Sequence, residues 1–368
     1  MTQINIRFVT FLVFLTLALS ACSPPPEEQL LADTTRLSIL PAYRDFLAAS
    51  RQLREATTTF CSATEQSTDT YTVVRSAWRN TATTWAGIQS LQFGPLLVDN
   101  QAWKVQFWPD RKNLIARKVE ALIKEDEPID VARVEKASVV VQGLSALEYL
   151  LFDDIAGQLS RYQQADSQRR CDLLIAASAH LEGVAIFLHT AWQSDGGNYA
   201  ATFSQPGSNN QEYPEAKVAI GTLLDSLVYG LELIKRDKLE RPLGLAETGT
   251  QIYLLEWWRA RYSRAAIVAN LSALHQLFSA GEGFGLDDYL QQVVDGTDLA
   301  KAIDQGFRHV ISQASEIETP LFDAPNSPET LAQAKALSDT ITELEVRIKK
   351  EIPPLLGITL SFNSSDGD

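Results

Sequence analysis

From Leu37 onward the apolar residues of this chain recur at spacings of three and four, and no segment alternates clearly with the period of two that a strand requires. That pattern restricts the chain to helices packed through their apolar stripes. A first helix is expected over Ile39–Cys61, with Tyr43, Phe46, Leu47, Leu53 and Phe60 facing inward. A second is expected over Asp69–Leu91, ending at Phe93-Gly94-Pro95 because proline cannot continue a helix and glycine suits its end. Trp103–Trp108 and the amphipathic piece Asn113–Lys124 follow. After the break at Glu127-Pro128 comes a helix through Ser138–Asp154, and then a long one over Ser167–Ser194. The second half repeats the style, with helices expected at Glu212–Lys238, Gln251–Ala280, Thr297–Thr319 and Glu329–Glu351, before Pro353-Pro354. The polar, Pro- and Gly-bearing stretch Thr202–Asn210 is the best boundary. The expected fold class is therefore all-α, with two helical bundles at residues 37–201 and 211–368. Leu144-Ser145-Ala146-Leu147-Glu148 echoes Leu271-Ser272-Ala273-Leu274-His275, as a duplication of one bundle would leave it, and as chance would too, since Leu, Ser and Ala are common.

With 368 residues the chain has material for two ordinary domains. Arg7 precedes the apolar run Phe8–Leu19, which is too short for a comfortable membrane span and has the proportions of a secretion signal. Leu19-Ser20-Ala21-Cys22 then resembles a bacterial lipobox, so residues 1–21 are expected to be cleaved and Cys22 lipidated. Ser23 in the following position fits sorting to the periplasmic side of the outer membrane, and residues 22–36, with Pro24-Pro25-Pro26, read as a stiff tether. In such an oxidising compartment Cys61 and Cys171 are a disulfide candidate, the alternative being two separate buried thiols. The net charge of −14, with no Lys/Arg cluster, argues against nucleic acid as a partner. An acidic surface is compatible with cation binding and equally with simple solubility.

The chemistry-bearing stretch is Ser138–Asp154, in which Gly143, Ser145 and Glu148 interrupt a strongly apolar run. On a helix Ser145 and Glu148 lie three apart and point the same way. A carboxylate on a buried helix has to be paired, hydrogen-bonded or bound to a cation. No H-E-x-x-H, G-x-S-x-G, Walker or C-x-x-C pattern is present. His180 and His189 are nine apart and cannot share a metal through one helix, while His275 and His309 read as surface or interhelix residues. Trp78, Trp85, Trp103, Trp108, Trp257 and Trp258 are expected in core or interface packing. Asp110 and Arg111 are expected to cap or salt-bridge the next helix, and Asp366-Gly367-Asp368 to form an acidic tail.

Several segments taken in order resemble the imelysin-like family. They are Ser76-Ala77-Trp78 with Trp85 and Phe93-Gly94-Pro95, Phe107-Trp108-Pro109-Asp110-Arg111, and Gly143 through Phe152. Glu256-Trp257-Trp258-Arg259 with Ser263, Gly281 through Leu286, and the end Phe362–Asp368 complete the set. The resemblance implies a secreted or lipid-anchored protein of two helical bundles, in a family described as peptidases and as proteins of iron uptake. Its hallmark is G-x-H-x-x-E, in which a histidine and a glutamate present one nitrogen and one oxygen to a cation. Here Ser145 occupies the histidine position, and a serine hydroxyl alone is a poor ligand and a poor base. The resemblance therefore implies a ligand- or metal-binding component linked to iron uptake, without enzymatic activity, contacting an iron-transport receptor or a small ligand. Gly143, Ser145 and Glu148 would form one wall of a cleft between the bundles, and Glu256, Arg259 and Ser263 the other. An Arg259–Glu148 pair would leave no net charge for a divalent or iron cation at Glu148. The second reading is a metal-dependent peptidase using Glu148 with His180, His189 or Asp154.

Overall fold

The computed structural model describes residues 24–155, 157–246 and 249–359. The leader, Cys22, the end of the motif set from Phe362 and the Asp366-Gly367-Asp368 tail lie outside the described residues. The chain forms α1 (Pro26–Thr34), which passes through a π-helical turn at Thr35–Ile39 into α2 (Leu40–Ser62). Next come α3 (Thr68–Ala86), α4 (Gln101–Val105), α5 (Leu114–Lys124), α6 (Val131–Lys136), α7 (Gly143–Phe152), α8 (Ser167–Trp192) and α9 (Tyr199–Ser204). The second half has α10 (Ala216–Glu232), a π-helical segment at Leu233–Glu240 that leads into α11 (Arg241–Leu243), and α12 (Ser263–Ser279). It closes with α13 (Leu286–Gln292), α14 (Thr297–Glu316) and α15 (Pro328–Leu356). No strand occurs among the described residues.

In the first half α2, α3, α7 and α8 pack in a ring around a shared core, and in the second α10, α12, α14 and α15 do the same. Helices α3 and α12 lie against each other across the seam, and one contiguous set of buried apolar side chains runs through both halves. Cys61 at the end of α2 and Cys171 at the start of α8 form a disulfide that closes a separation of 110 residues. The connecting stretch around Thr202–Asn210 is held to the first half, because Phe203 is buried and its ring stacks on Phe93 at 4.9 Å between centroids.

Three sequence expectations are corrected. Residues 26–36 are not tether. Leu30 and Leu31 are fully buried, α1 packs against α10 and α13, and the Asp33 carboxylate accepts the Phe284 N–H at 2.9 Å. The last helix does not stop before Pro353-Pro354 but carries both prolines in its final turn and ends at Gly357. The helix expected over Gln251–Ala280 begins only at Ser263. Before it the chain makes a short 3-10 turn at Ile252–Leu254 and then an irregular segment, with Trp257 and Arg261 in the left-handed region at φ 54° and 53°. That segment faces α7, and it carries Glu256 and Arg259, with Ser263 following as the first residue of α12.

Candidate functional site

Helix α7 is seated by its first residue. Gly143 has φ +60°, and a Cβ there would lie 2.2 Å from the Val105 carbonyl oxygen, so α7 starts directly against the end of α4. Two residues on, the Ser145 hydroxyl donates to the Phe107 carbonyl at 3.2 Å. The Trp78 indole of α3 donates to the Leu144 carbonyl at 3.0 Å, and its ring meets Trp257 edge-on at 5.1 Å. The tryptophan of Ser76-Ala77-Trp78 is thus a pillar between α7 and the irregular segment of the second half.

Glu148 projects from α7 into that segment. It is almost fully buried, and its Oε1 accepts the Ala260 N–H at 3.1 Å. Burial raises its carboxyl to about 7, against the lowering effects of the nearby Arg259 charge and of the backbone N–H groups of Ala260 and Arg259. The expected Arg259–Glu148 ion pair is not formed. The guanidinium instead reaches Asp153 Oδ2 at 3.0 Å and Asn113 Oδ1 at 2.9 Å, and lies over the Trp258 ring. Asp153 sits just past the C-terminus of α7, so the Arg259 guanidinium clamps the end of that helix and its charge acts on Glu148 only through space.

Glu256 has a different partner altogether. Its Oε2 lies 2.6 Å from the Lys238 ammonium, both side chains are about 1 % exposed, and its Oε1 accepts from Gln89 and Gln106 at 3.0 and 2.8 Å. Lys238 also donates to Gln89 Oε1 and Asn270 Oδ1, at 2.8 and 2.6 Å. Desolvation pulls the Lys238 pKa down while Glu256 opposes it. Ser263 donates its hydroxyl to the Glu256 carbonyl and fixes the start of α12 beneath it. The predicted residues are therefore brought to one seam but split into two clusters, Glu148 with the Ala260 backbone and Glu256 with Lys238. At Ser145, Glu148, Glu256, Arg259 and Ser263 that seam is closed rather than an open cleft, since all five are buried.

The carboxylate surroundings do not fit a cation. The groups aimed at Glu148 are N–H donors and a guanidinium charge, and the Ser145 hydroxyl is already engaged with Phe107. Among the described residues no three of His, Cys, Asp and Glu are grouped to hold a metal ion. His180 is buried on α8, His189 is half-buried, and Asp154 is exposed beyond α7. His275 pairs with Asp304 at 2.7 Å between α12 and α14, and His309 is on the surface.

Asp110 caps α5, accepting the Leu114 and Ile115 N–H groups at 2.7 and 3.0 Å. Trp78, Trp85 and Trp257 are core residues, but Trp103 is 45 % exposed and Trp108 half-buried. These last two line a pocket of 680 Å³ whose inner wall includes Gln89 and Gln106 of the Lys238–Glu256 cluster. Lys238, Gln89, Gln106 and Asn270 escape a reading of the sequence, since amides and lysines on helices ordinarily face solvent and nothing in their spacing marks them as buried.

The Imelysin (Peptidase_M75) family model matches residues 39–348. No curated protein gives a match. Among solved structures the chain is similar to an imelysin-like protein from Psychrobacter arcticum, at 22 % identity and a TM-score of 0.76, covering 92 % of this chain and 97 % of that one. It is also similar to a putative iron-regulated protein A precursor from Parabacteroides distasonis, at 16 % identity and a TM-score of 0.71, covering 89 % of this chain and 96 % of that one. At these identities the similarity establishes the shared all-α fold.

Proposed function

The chain belongs to the imelysin family, and from that premise we propose that it is a non-enzymatic, ligand-binding lipoprotein of a bacterial iron-uptake system. The observation that carries the reading is the state of the motif carboxylate. Glu148 is buried, accepts a backbone N–H, and has Ser145 rather than an imidazole beside it on α7. A hydrolase needs a nucleophile next to a base that can reach it, and the Ser145 hydroxyl beside Glu148 is engaged with the Phe107 carbonyl instead. The role of Glu148 here is to hold α7 onto the irregular segment 255–262, joining the two halves. The iron connection is supported by the iron-regulated protein named among the structural relatives. Anchoring to the periplasmic face of the outer membrane is supported by the leader, Leu19-Ser20-Ala21-Cys22 and Ser23. An iron-transport receptor then becomes a reasonable partner.

The reading is tested in the native host. A strain lacking the gene is expected to grow poorly under iron limitation, and to recover with the wild-type gene and with a Glu148→Gln version. Purified mature protein is expected to leave casein intact. Chelator-sensitive casein cleavage that disappears in Glu148→Gln would overturn the non-enzymatic reading, and normal growth of the deletion strain would overturn the iron role. Cys22→Ala is expected to move the protein from the membrane to the soluble fraction.

A further inference from the structure

The pocket beside the Lys238–Glu256 cluster has a composition at odds with the rest of the molecule. Its aromatic wall is formed by Trp103 and Trp108, and its rim carries Arg111, Arg236 and Arg241 against the single carboxylate of Asp237. Asp237 is 2.6 Å from Arg241 and 3.4 Å from Arg236, so one carboxylate is shared by two guanidiniums. Arg111 is exposed and has no hydrogen bond or ion pair among the described residues. The pocket is therefore cationic on a chain whose net charge is −14. A local field of reversed sign draws in anions and turns away cations.

We propose that this pocket binds a small aromatic anion, of the aryl carboxylate or catecholate class. The volume of 680 Å³ lies within the range of roughly 300–1,000 Å³ usual for small-molecule sites. An inorganic anion would use the arginines and leave two tryptophan faces wet, and a neutral aromatic would do the reverse. A flat ring bearing a carboxylate uses both, through stacking on Trp103 and Trp108 and paired N–H donation from Arg111. The interior of the site is prebuilt. Trp108 donates its indole N–H to the Leu254 carbonyl at 2.9 Å, and Trp85 holds Gln106 by its indole N–H at 2.6 Å. The π-helical segment Leu233–Glu240 supplies Arg236 and Asp237 to the pocket and Lys238 to the cluster beneath it. Such wide turns recur at functional positions. Aryl carboxylates with adjacent hydroxyls also chelate ferric ion as anionic complexes. Through that chemistry the pocket would meet iron as a chelate rather than as a bare cation, a step that rests on the iron-uptake reading.

The test is isothermal calorimetry on the mature protein with 2,3-dihydroxybenzoate, its ferric complex, and neutral benzamide as control. Saturable binding of the acid or of its complex is expected, at least tenfold tighter than benzamide, and weakened at least tenfold in Arg111→Gln and in Trp103→Ala. Both residues are exposed, and circular dichroism of each variant checks that the fold is retained. Absence of saturable heat with both the acid and its complex overturns the proposal. So does equal binding of benzamide, or unchanged affinity in both variants. Iron-limited growth is read separately. Defective growth with no binding sinks only the pocket, and binding with normal growth of the deletion strain sinks only the iron role.

Discussion

Glu148 is the residue at which physical chemistry and family motif meet. Its carboxyl stands at about 7 in the fold against an ordinary 4.5, because burial outweighs the Arg259 charge and the backbone N–H groups. Between those two values the native state holds more protons than the unfolded state, so stability falls as pH rises through the window and levels off above it. Glu148→Gln keeps an oxygen for the Ala260 N–H and removes the titration. Wild type is expected to lose ground to that variant between pH 4.5 and pH 7, by a total of up to about 3 kcal/mol from a shift of this size. Urea unfolding of both proteins at pH 5 and pH 8 measures it. A difference that is constant with pH, or that moves in favour of wild type as pH rises, would contradict the raised pKa. The same surroundings explain why restoring the family residue is not a simple repair. Ser145 is 2 % exposed and hydrogen-bonded to Phe107, so Ser145→His forces a larger ring into a filled space, and overpacking of that kind costs about 1–3 kcal/mol. A lowered denaturation midpoint is expected, and an unchanged one would mean the space is roomier than the contacts indicate.

The element that decides the site is the segment between the 3-10 turn at Ile252–Leu254 and α12. Its apolar and aromatic residues, Trp257 and Trp258 among them, continue the helical stripe of Ser263–Ser279 in sequence, which is why the pattern predicts one unbroken helix from Gln251. In the fold the backbone N–H of Ala260 goes to Glu148 and the Glu256 carbonyl to Ser263, so tertiary partners replace the helical ones. The helices themselves were legible, because their stripes are local. The Glu256–Lys238 pair was not, because it joins positions 18 residues apart whose burial depends on Gln89 and Gln106, supplied by the turns just past α3 and α4. Gly143 was legible as a motif member, but its reason appears only with the Val105 carbonyl in place. Breaking the buried pair from one side leaves a charge without its partner, which costs about 3–5 kcal/mol. Lys238→Met is therefore expected to destabilise strongly, and Lys238→Met with Glu256→Gln to destabilise by less than the sum of the two single changes. Strict additivity in a double-mutant cycle would show the two side chains to be energetically independent.

At the scale of the molecule, the division into bundles at residues 37–201 and 211–368 describes the chain order better than the packing. Helix α1 is continuous with α2 of the first half, yet it buries Leu30 and Leu31 against α10 and α13 of the second. Helices α3 and α12 share the seam, and the Gln89–Glu256–Lys238 network crosses it. The disulfide from Cys61 to Cys171 braces the first half alone, and closing a loop of 110 residues contributes about 4–5 kcal/mol on the chain-entropy account. With α1 starting at Pro26, only Ser23, Pro24 and Pro25 lie between Cys22 and the first helix, a span of at most about 13 Å, so the lipid anchor proposed at Cys22 would hold the body close to the membrane. The shared helix, the shared seam and the buried network make the two halves one cooperative unit. A single calorimetric transition is expected for the mature protein, and Leu30→Ala with Leu31→Ala is expected to lower it as a whole. Each such deletion of a buried leucine costs about 2–5 kcal/mol, and the loss falls on an element both halves share. Two resolved transitions in wild type, or a double variant in which only the second half melts early, would show that the bundles unfold independently and that α1 merely rests on its neighbours.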